Sequence, residues 1–240
     1  MSDSDNYDFE RLPIDFFQFV KDLQTHAKHE QHSYRLARAL QIRARVALHN
    51  SAIPNAEGGP LIFLQPWYFA GNNDVMRHEI AHVMLWWSGL ESRIIQEYGL
   101  EQGGKVIERL CNQAIAFLRI PQPLVNAAVK RHGVSARAVQ VLMKQTGAPY
   151  QMCMERLIFD DPTAERAGFM TSGKYISAIA ICNSKLPFWL AHRVPEPQLV
   201  VPEASLIQLY VITGCSDLCG DQAGSGRDRV RAGGPFASAT

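Results

Sequence analysis

Five consecutive residues, His78-Glu79-Ile80-Ala81-His82, have the types and spacing of a metal site with its own general base. On a helix, positions i and i+4 lie one turn apart on the same face, so both imidazoles can bind a single Zn²⁺. From its position after the first histidine, Glu79 can accept a proton from water without binding the metal. The pattern therefore predicts metal-assisted hydrolysis. The competing interpretation is a core helix with two hydrogen-bonded histidines and a surface glutamate.

A zinc hydrolase needs a third protein ligand, which leaves the fourth position for water. Glu108 is the main candidate, because it stands in an apolar pattern of helical spacing over residues 105–118. A carboxylate on a second helix packed against the first would complete a His-His-Glu site. The competing interpretation pairs Glu108 with Lys105 or Arg109 on a solvated face. Alternative ligands in the same region are Glu97 and Glu101, near a predicted Gly99–Gly104 connection, and Cys111.

The histidine motif needs a helix to position it, and the sequence predicts one from Asn73 to about Trp87. Asn72 or Asn73 can cap its N-terminus, and Asp74 lies in the first turn, where a negative charge suits the helix dipole. Apolar residues recur around the rest of the segment. We therefore expect a helix that is buried on most of its sides.

Two strands are predicted before this helix. Residues 42–48 alternate between apolar and polar types, and residues 60–68 form a second apolar run. Between them, residues 50–59 form a polar connection that contains Gly and Pro. A strand pair that leads into the metal helix predicts a small α+β unit. An edge strand beside the metal cleft would let an extended substrate segment add to the sheet.

The two predicted helices together resemble the ImmA/IrrE family of zinc-dependent metallopeptidases, and within it the members that regulate the response to radiation. The family pattern is an HExxH helix followed by a second helix that opens with Glu, continues with Asn and small residues, and closes with Pro. The resemblance covers roughly residues 30 to 155. In this chain the positions of the second helix are occupied by Glu108, Asn112, Ala116 and Pro121.

The resemblance implies a cytoplasmic zincin-like metalloendopeptidase that cleaves a helix-turn-helix repressor of the XRE type, and so relieves repression after DNA damage or another stress. It implies His78, His82 and Glu108 as metal ligands and Glu79 as the catalytic residue. The implied cofactor is Zn²⁺, with Mn²⁺ as an alternative activating metal. Relatives often carry Gly where this chain has Ala81, and a small or apolar residue where it has Arg77, which places a charge beside the site.

The pattern downstream of the second helix divides into further segments. A Gly-Val-Ser turn with Ser135 as a helix cap resembles a helix-turn-helix. Alternating residues after it predict strands, which the resemblance identifies with a reduced GAF-like sensor segment. The predicted organisation is a zincin-like metallopeptidase domain (1–122), a helix-turn-helix-like helical region (123–160), a β-rich segment (161–214) and a disordered tail (215–240).

Direct DNA binding is not the role we expect for the helical region, although five basic residues make it locally positive. The second helix of the turn is dominated by Ala, Val, Leu and Met, and the formal net charge of the chain is only +1. Packing against the peptidase or binding the repressor fits this composition better. The rival to the protease interpretation is a non-catalytic regulator that binds a partner protein or DNA through residues 133–158.

Length and composition limit the number of domains and the class of protein. A chain of 240 residues, 47% of them hydrophobic, can bury a sizeable core in one or two domains. No continuous apolar run approaches the length of a membrane span, and the acidic residues 1–10 are unlike a signal peptide. The five cysteines are scattered and odd in number, which fits a reducing compartment. We therefore predict a cytoplasmic protein without membrane contact.

Overall fold

The computed structural model describes residues 11–69, 71–183, 189–193 and 207–213. The chain divides into two compact units, Met1–Pro123 and Leu124–Thr240. The predicted α+β class is confirmed, because the described residues form helices together with two three-stranded sheets. Within those residues, every helix is too short or too polar to cross a lipid bilayer. The tail predicted over residues 215–240 lies outside the described part of the chain.

The first unit contains the predicted metal helix, and its described residues form five helices and three strands. Its helices are α1 (Leu12–His26), α2 (Ser33–Ala39), α3 (Pro66–Phe69), α4 (Asp74–Trp87) and α5 (Leu90–Arg119), and its strands are β1 (Arg43–Val46), β2 (Ser51–Ile53) and β3 (Leu61–Leu64).

Strand β3 is the centre of the sheet in the first unit. It pairs parallel with β1 and antiparallel with β2. Leu61, Ile62 and Leu64 of β3 are buried, as befits a strand with a neighbour on each side. Helix α4 contacts β2 and β3. Strand β2 is therefore an edge strand in contact with the helix that carries the histidine motif.

The strands differ from the predicted ones in length and number. The second predicted strand, over residues 60–68, ends at Leu64 because Pro66 begins α3, and proline suits the first turn of a helix. Strand β2 lies within the predicted connection over residues 50–59. A strand of three residues is too short to produce a recognisable alternation.

Helices α1 and α5 form much of the core of the first unit. The ring of Phe17 stacks on that of Phe117, with centroids 4.5 Å apart and planes inclined by 10°. Deeper in the unit, Phe16 and Val20 of α1 are fully buried. The buried Gln24 side chain donates a hydrogen bond of 2.9 Å to the carbonyl of Leu118, which satisfies a polar group inside the core.

Helix α5 turns a sharp corner at Gly99, whose φ of 71° and ψ of 173° are non-helical. An added Cβ on Gly103 would lie 3.0 Å from Cδ1 of Ile95 and 3.3 Å from the carbonyl oxygen of Ile94. In a straight helix, the nine residues from Ile94 to Gly103 would span about 13.5 Å. The segment after the corner therefore packs against the segment before it. Helix α5 thus consists of two helical segments that meet at Gly99, within the connection that the sequence predicts.

The second unit combines helices with a second sheet. Ser135 caps the helix after the Gly-Val-Ser turn, as predicted, because its hydroxyl accepts a hydrogen bond from the amide of Ala138. Gly168 lets the sheet approach a helix closely, since an added Cβ there would lie 3.0 Å from Cγ of Met154. The elements of this unit are α6 (Gln122–His132), α7 (Ala136–Thr146), α8 (Tyr150–Ile158), β4 (Arg166–Ser172), β5 (Tyr175–Cys182) and β6 (Ile207–Thr213), with sheet order β5-β4-β6.

Candidate metal centre

The predicted metal helix is confirmed as α4, and its start is fixed by the residue that the sequence indicates. Asn73 is the N-cap, and its side-chain oxygen accepts a hydrogen bond of 2.8 Å from the amide of Met76. Ile80, Val83 and Met84 are fully buried, so most of the helix surface packs into the unit. The helix therefore presents its histidines from a rigid base.

The structure brings His78, His82 and Glu108 together. The Nε2 atoms of the two histidines lie 3.0 Å apart. The Glu108 carboxylate places Oε2 at 3.3 Å from Nε2 of His78 and Oε1 at 3.3 Å from Nε2 of His82. In the part of the chain that the structure describes, no other group of three or more His, Cys, Asp or Glu side chains converges in this way.

The donor set fits a divalent cation. Ligands about 2.0–2.1 Å from a tetrahedral Zn²⁺ lie about 3.3 Å from one another, close to the separations in this group. Burial, assisted by the charge of His78 and opposed by that of Glu108, lowers the pKa of His82. The neutral imidazole of His82 is thereby favoured, and a neutral imidazole is the form that binds metal.

Glu79 lies next to this group, but it is not one of the converging side chains. It is buried. That burial, together with the negative charge of Glu108, raises the pKa of Glu79 to about 7. A carboxylate with a pKa near neutrality is suited to accept a proton and return it at physiological pH. The geometry thus distinguishes three side chains that could bind a metal from Glu79, which could transfer a proton.

The alternative ligands do not reach the group. Glu101 pairs with Lys105 at 2.9 Å and is 83% exposed. Glu97 is exposed as well. The thiol of Cys111 is fully buried, and burial together with nearby carboxylates raises its pKa, so it stays protonated. Both acids lie in α5, two residues on either side of the corner at Gly99, near the connection that the sequence predicts.

Arg77, the residue before the first histidine, is held in a network of hydrogen bonds and one ion pair. Its side chain is buried, and its guanidinium donates to Oδ1 of Asp74 at 2.8 Å, to the carbonyl of Gln31 and to Oδ1 of Asn72. The carboxylate of Asp74 also accepts from Arg119 at 2.6 Å. Sequence reasoning missed this cluster, although the i,i+3 spacing of Asp74 and Arg77 was a signal for a pair on one helix face.

The candidate metal centre is open to solvent on the side of its carboxylate. The Glu108 side chain is 59% exposed, against 18% and 20% for His78 and His82. The histidines are therefore held by the unit, while the third ligand lies at the surface. A scan against known protein families and a search of curated proteins each find no match to this chain.

Proposed function

We propose that the protein is a zinc-dependent metalloendopeptidase. The observation that carries the proposal is the convergence of His78, His82 and Glu108 within 3.0–3.3 Å of one another. These three residues would hold the cation. Zn²⁺ bound there would lower the pKa of a water molecule toward neutrality and polarise a carbonyl oxygen. Glu79 would accept a proton from the attacking water and deliver it to the leaving amine.

The proposed substrate is a protein segment rather than a small molecule. A third ligand that is 59% exposed leaves room for an extended chain to approach from solvent, whereas sites for small molecules usually enclose most of the ligand. The resemblance of the motif residues to the ImmA/IrrE family supports an XRE-type helix-turn-helix repressor as that substrate. Its cleavage would relieve repression in a cytoplasmic response to DNA damage or similar stress.

The other segments have matching proposed roles. The first unit would be the zincin-like peptidase, with its active site on α4 and α5. Helices α6 to α8 would be the helix-turn-helix-like region, which binds the repressor or packs within the protein. The β-rich segment over residues 161–214 would be a reduced GAF-like sensor. These assignments rest on the resemblance and on the sequence patterns that accompany it.

The test is cleavage of a purified candidate repressor by the full chain with Zn²⁺ or Mn²⁺. We expect Glu79→Gln to reduce the rate by about 10²–10⁴-fold, the usual contribution of a general base, while the metal content stays unchanged. Glu101→Gln is the matched control, because this acid is exposed and paired with Lys105. The control variant should cleave at the wild-type rate.

The opposite outcome would favour the rival function. If the wild type binds the repressor or DNA but produces no cut product with any divalent metal, the protein is a non-catalytic regulator. Substitutions within residues 133–158 that abolish this binding would then identify the binding surface. Equal cleavage by the wild type and Glu79→Gln would remove Glu79 from the proposed chemistry.

A further inference from the structure

A cluster of charges built around one buried arginine lies at the start of α4, one turn before the first histidine. Arg77 is 1% exposed and makes an ion pair of 2.8 Å with Asp74. The other carboxylate oxygen of Asp74 accepts from Arg119 at 2.6 Å. We name these three residues, together with Asn72, which also accepts from Arg77, the Arg77 cluster. One carboxylate thus bridges two guanidinium groups.

The Arg77 cluster joins three separate stretches of the first unit, namely residues 31–33, residues 72–77 and Arg119. Arg77 reaches the loop after α1 through the carbonyl of Gln31 and the loop before α4 through Asn72. Asn72 in turn accepts a hydrogen bond of 2.9 Å from the amide of Ser33 at the start of α2. Arg119 stands at the last residue of α5. The planar guanidinium and carboxylate groups fix directions as well as distances.

The cluster and the metal ligands lie on the same two helices. Asp74 precedes His78 by one turn of α4, and Arg119 follows Glu108 by eleven residues, or about 16 Å of helix. At the other end of that helix segment, Gly103 packs against Ile94. The segment that carries Glu108 is therefore fixed from both directions.

A metal site requires its ligands to be placed within about 0.5 Å of the productive geometry. A buried charged group adds little net stability compared with an apolar residue of similar size, so stability alone gives a weak reason for this cluster. We propose that the Arg77 cluster is the positioning device of the metal centre: it sets α5 against α4 so that Glu108 meets His78 and His82. The inference rests on the proposed metal centre.

A second buried ion pair in the chain provides a matched control. Arg156 of the second unit has a side chain that is 1% exposed, and it pairs with Asp160 at 2.7 Å. It resembles Arg77 in burial and in pairing with an acid of the same helical region. Because it lies in the other compact unit, its replacement should change folding stability without changing the metal ligands.

The experiment uses the full chain loaded with Co²⁺, whose visible absorption reports ligand geometry, and chelator competition for Zn²⁺ affinity. Arg77→Lys keeps the positive charge but loses the planar guanidinium that donates to several acceptors at once. Arg119→Gln removes the link to α5 at a partly exposed position, so it tests the inference even if Arg77→Lys does not fold. We expect both variants to weaken Zn²⁺ binding by about 10–100-fold and to alter the Co²⁺ spectrum.

Arg156→Lys should keep the wild-type spectrum and affinity even where its melting temperature falls. The inference is overturned if the folded Arg77→Lys and Arg119→Gln proteins bind Zn²⁺ and Co²⁺ as the wild type does, because the cluster would then serve stability alone. A wild type that binds neither metal overturns the proposed function itself, and the inference with it. The two failures are therefore distinguishable.

Discussion

The Glu108 carboxylate presents one oxygen to each imidazole of the histidine pair, at 3.3 Å from both Nε2 atoms. This symmetry would let an exposed acid on α5 act as the third ligand of a cation. Glu101, seven residues earlier on the same helix, faces Lys105 instead. Two exposed glutamates of α5 therefore have opposite expected roles.

Metal content separates these two glutamates. We expect the wild type to bind one equivalent of Zn²⁺ and Glu108→Ala to lose most of it, because two histidines alone leave the tetrahedral set incomplete. Glu101→Ala should bind like the wild type. Dialysis against limiting Zn²⁺ followed by elemental analysis measures both. Equal metal content in the two variants would contradict the assignment of Glu108 as a ligand.

Glu79 should make the metal-free protein less stable at high pH. Its pKa is raised to about 7 by burial and by Glu108, above the ordinary value of an unfolded chain. The folded state therefore binds the extra proton, and the wild type gains stability as the pH falls through 7. At pH 8, Glu79→Gln should be more stable than the wild type by on the order of 1–3 kcal/mol.

That difference between Glu79→Gln and the wild type should shrink as the pH falls toward 5, where the folded wild type carries a protonated Glu79. Urea unfolding in the presence of a chelator at pH 8 and pH 5.5 measures it. The exposed Glu101→Gln serves as the control and should show no pH-dependent gain. A difference that grows on acidification would contradict the raised pKa.

Sequence spacing alone could place the two imidazoles on one helical face, because i and i+4 positions coincide in any helix. It could nominate Glu108 but not establish its contact, since that contact depends on how α5 packs against α4. The burial of Arg77 was beyond sequence reasoning for a different reason. Its acceptor Gln31 lies in the loop after α1, and its ion-pair partner Asp74 is shared with Arg119 at the end of α5. Arginine is rarely buried without such partners.

At the scale of elements, α5 is the feature that the sequence described least well. Its 30 residues form two helical segments that meet at Gly99, and the sequence predicts only the second of them. The helical spacing of apolar residues is interrupted at the corner, where Gly99 changes the direction of the chain. Helix α4 was easier to predict, since Asn73 caps it and apolar residues continue to Trp87.

Substitution of Gly99 tests the corner. Its φ of 71° and ψ of 173° lie in a region that is open almost only to glycine, so Gly99→Ala should destabilise the protein by about 1–3 kcal/mol. Gly104→Ala is the matched control, because Gly104 lies in the same helix with nothing within 4 Å of an added Cβ. There alanine should stabilise by roughly 0.5–1 kcal/mol.

Urea unfolding of the two variants measures these changes in the free energy of unfolding. A loss of stability in Gly99→Ala together with a gain in Gly104→Ala would establish the corner. Helix propensity alone predicts a gain in stability at both positions. A gain at Gly99 would mean that α5 is straight there.

At the scale of the whole molecule, the candidate metal centre belongs entirely to the first of the two compact units. The formal net charge of +1 gives the chain no general attraction for nucleic acid, so recognition of a partner has to come from local surfaces. Metal binding should therefore show its effect in the first unit, on the elements that supply the ligands.

Hydrogen exchange can locate that effect. Zn²⁺ at 100 times its Kd should stabilise the folded state by about 2.7 kcal/mol, and exchange should slow in peptides from α4 and α5. The variant Glu108→Ala provides the reference, because it keeps both histidines and lacks the third ligand. Slowing of the same extent in this variant would show that Zn²⁺ acts elsewhere on the chain.

The exposure of Glu108 also determines how the cation would enter and leave. A structural zinc enclosed by its domain escapes only when the domain opens, so its departure is as slow as local unfolding. Here the outer wall of the proposed coordination sphere would be one side chain, Glu108, that is exposed to water. Swinging that carboxylate aside frees an exit while both imidazoles stay in place. The protein should thus exchange its metal with the surrounding solution while fully folded.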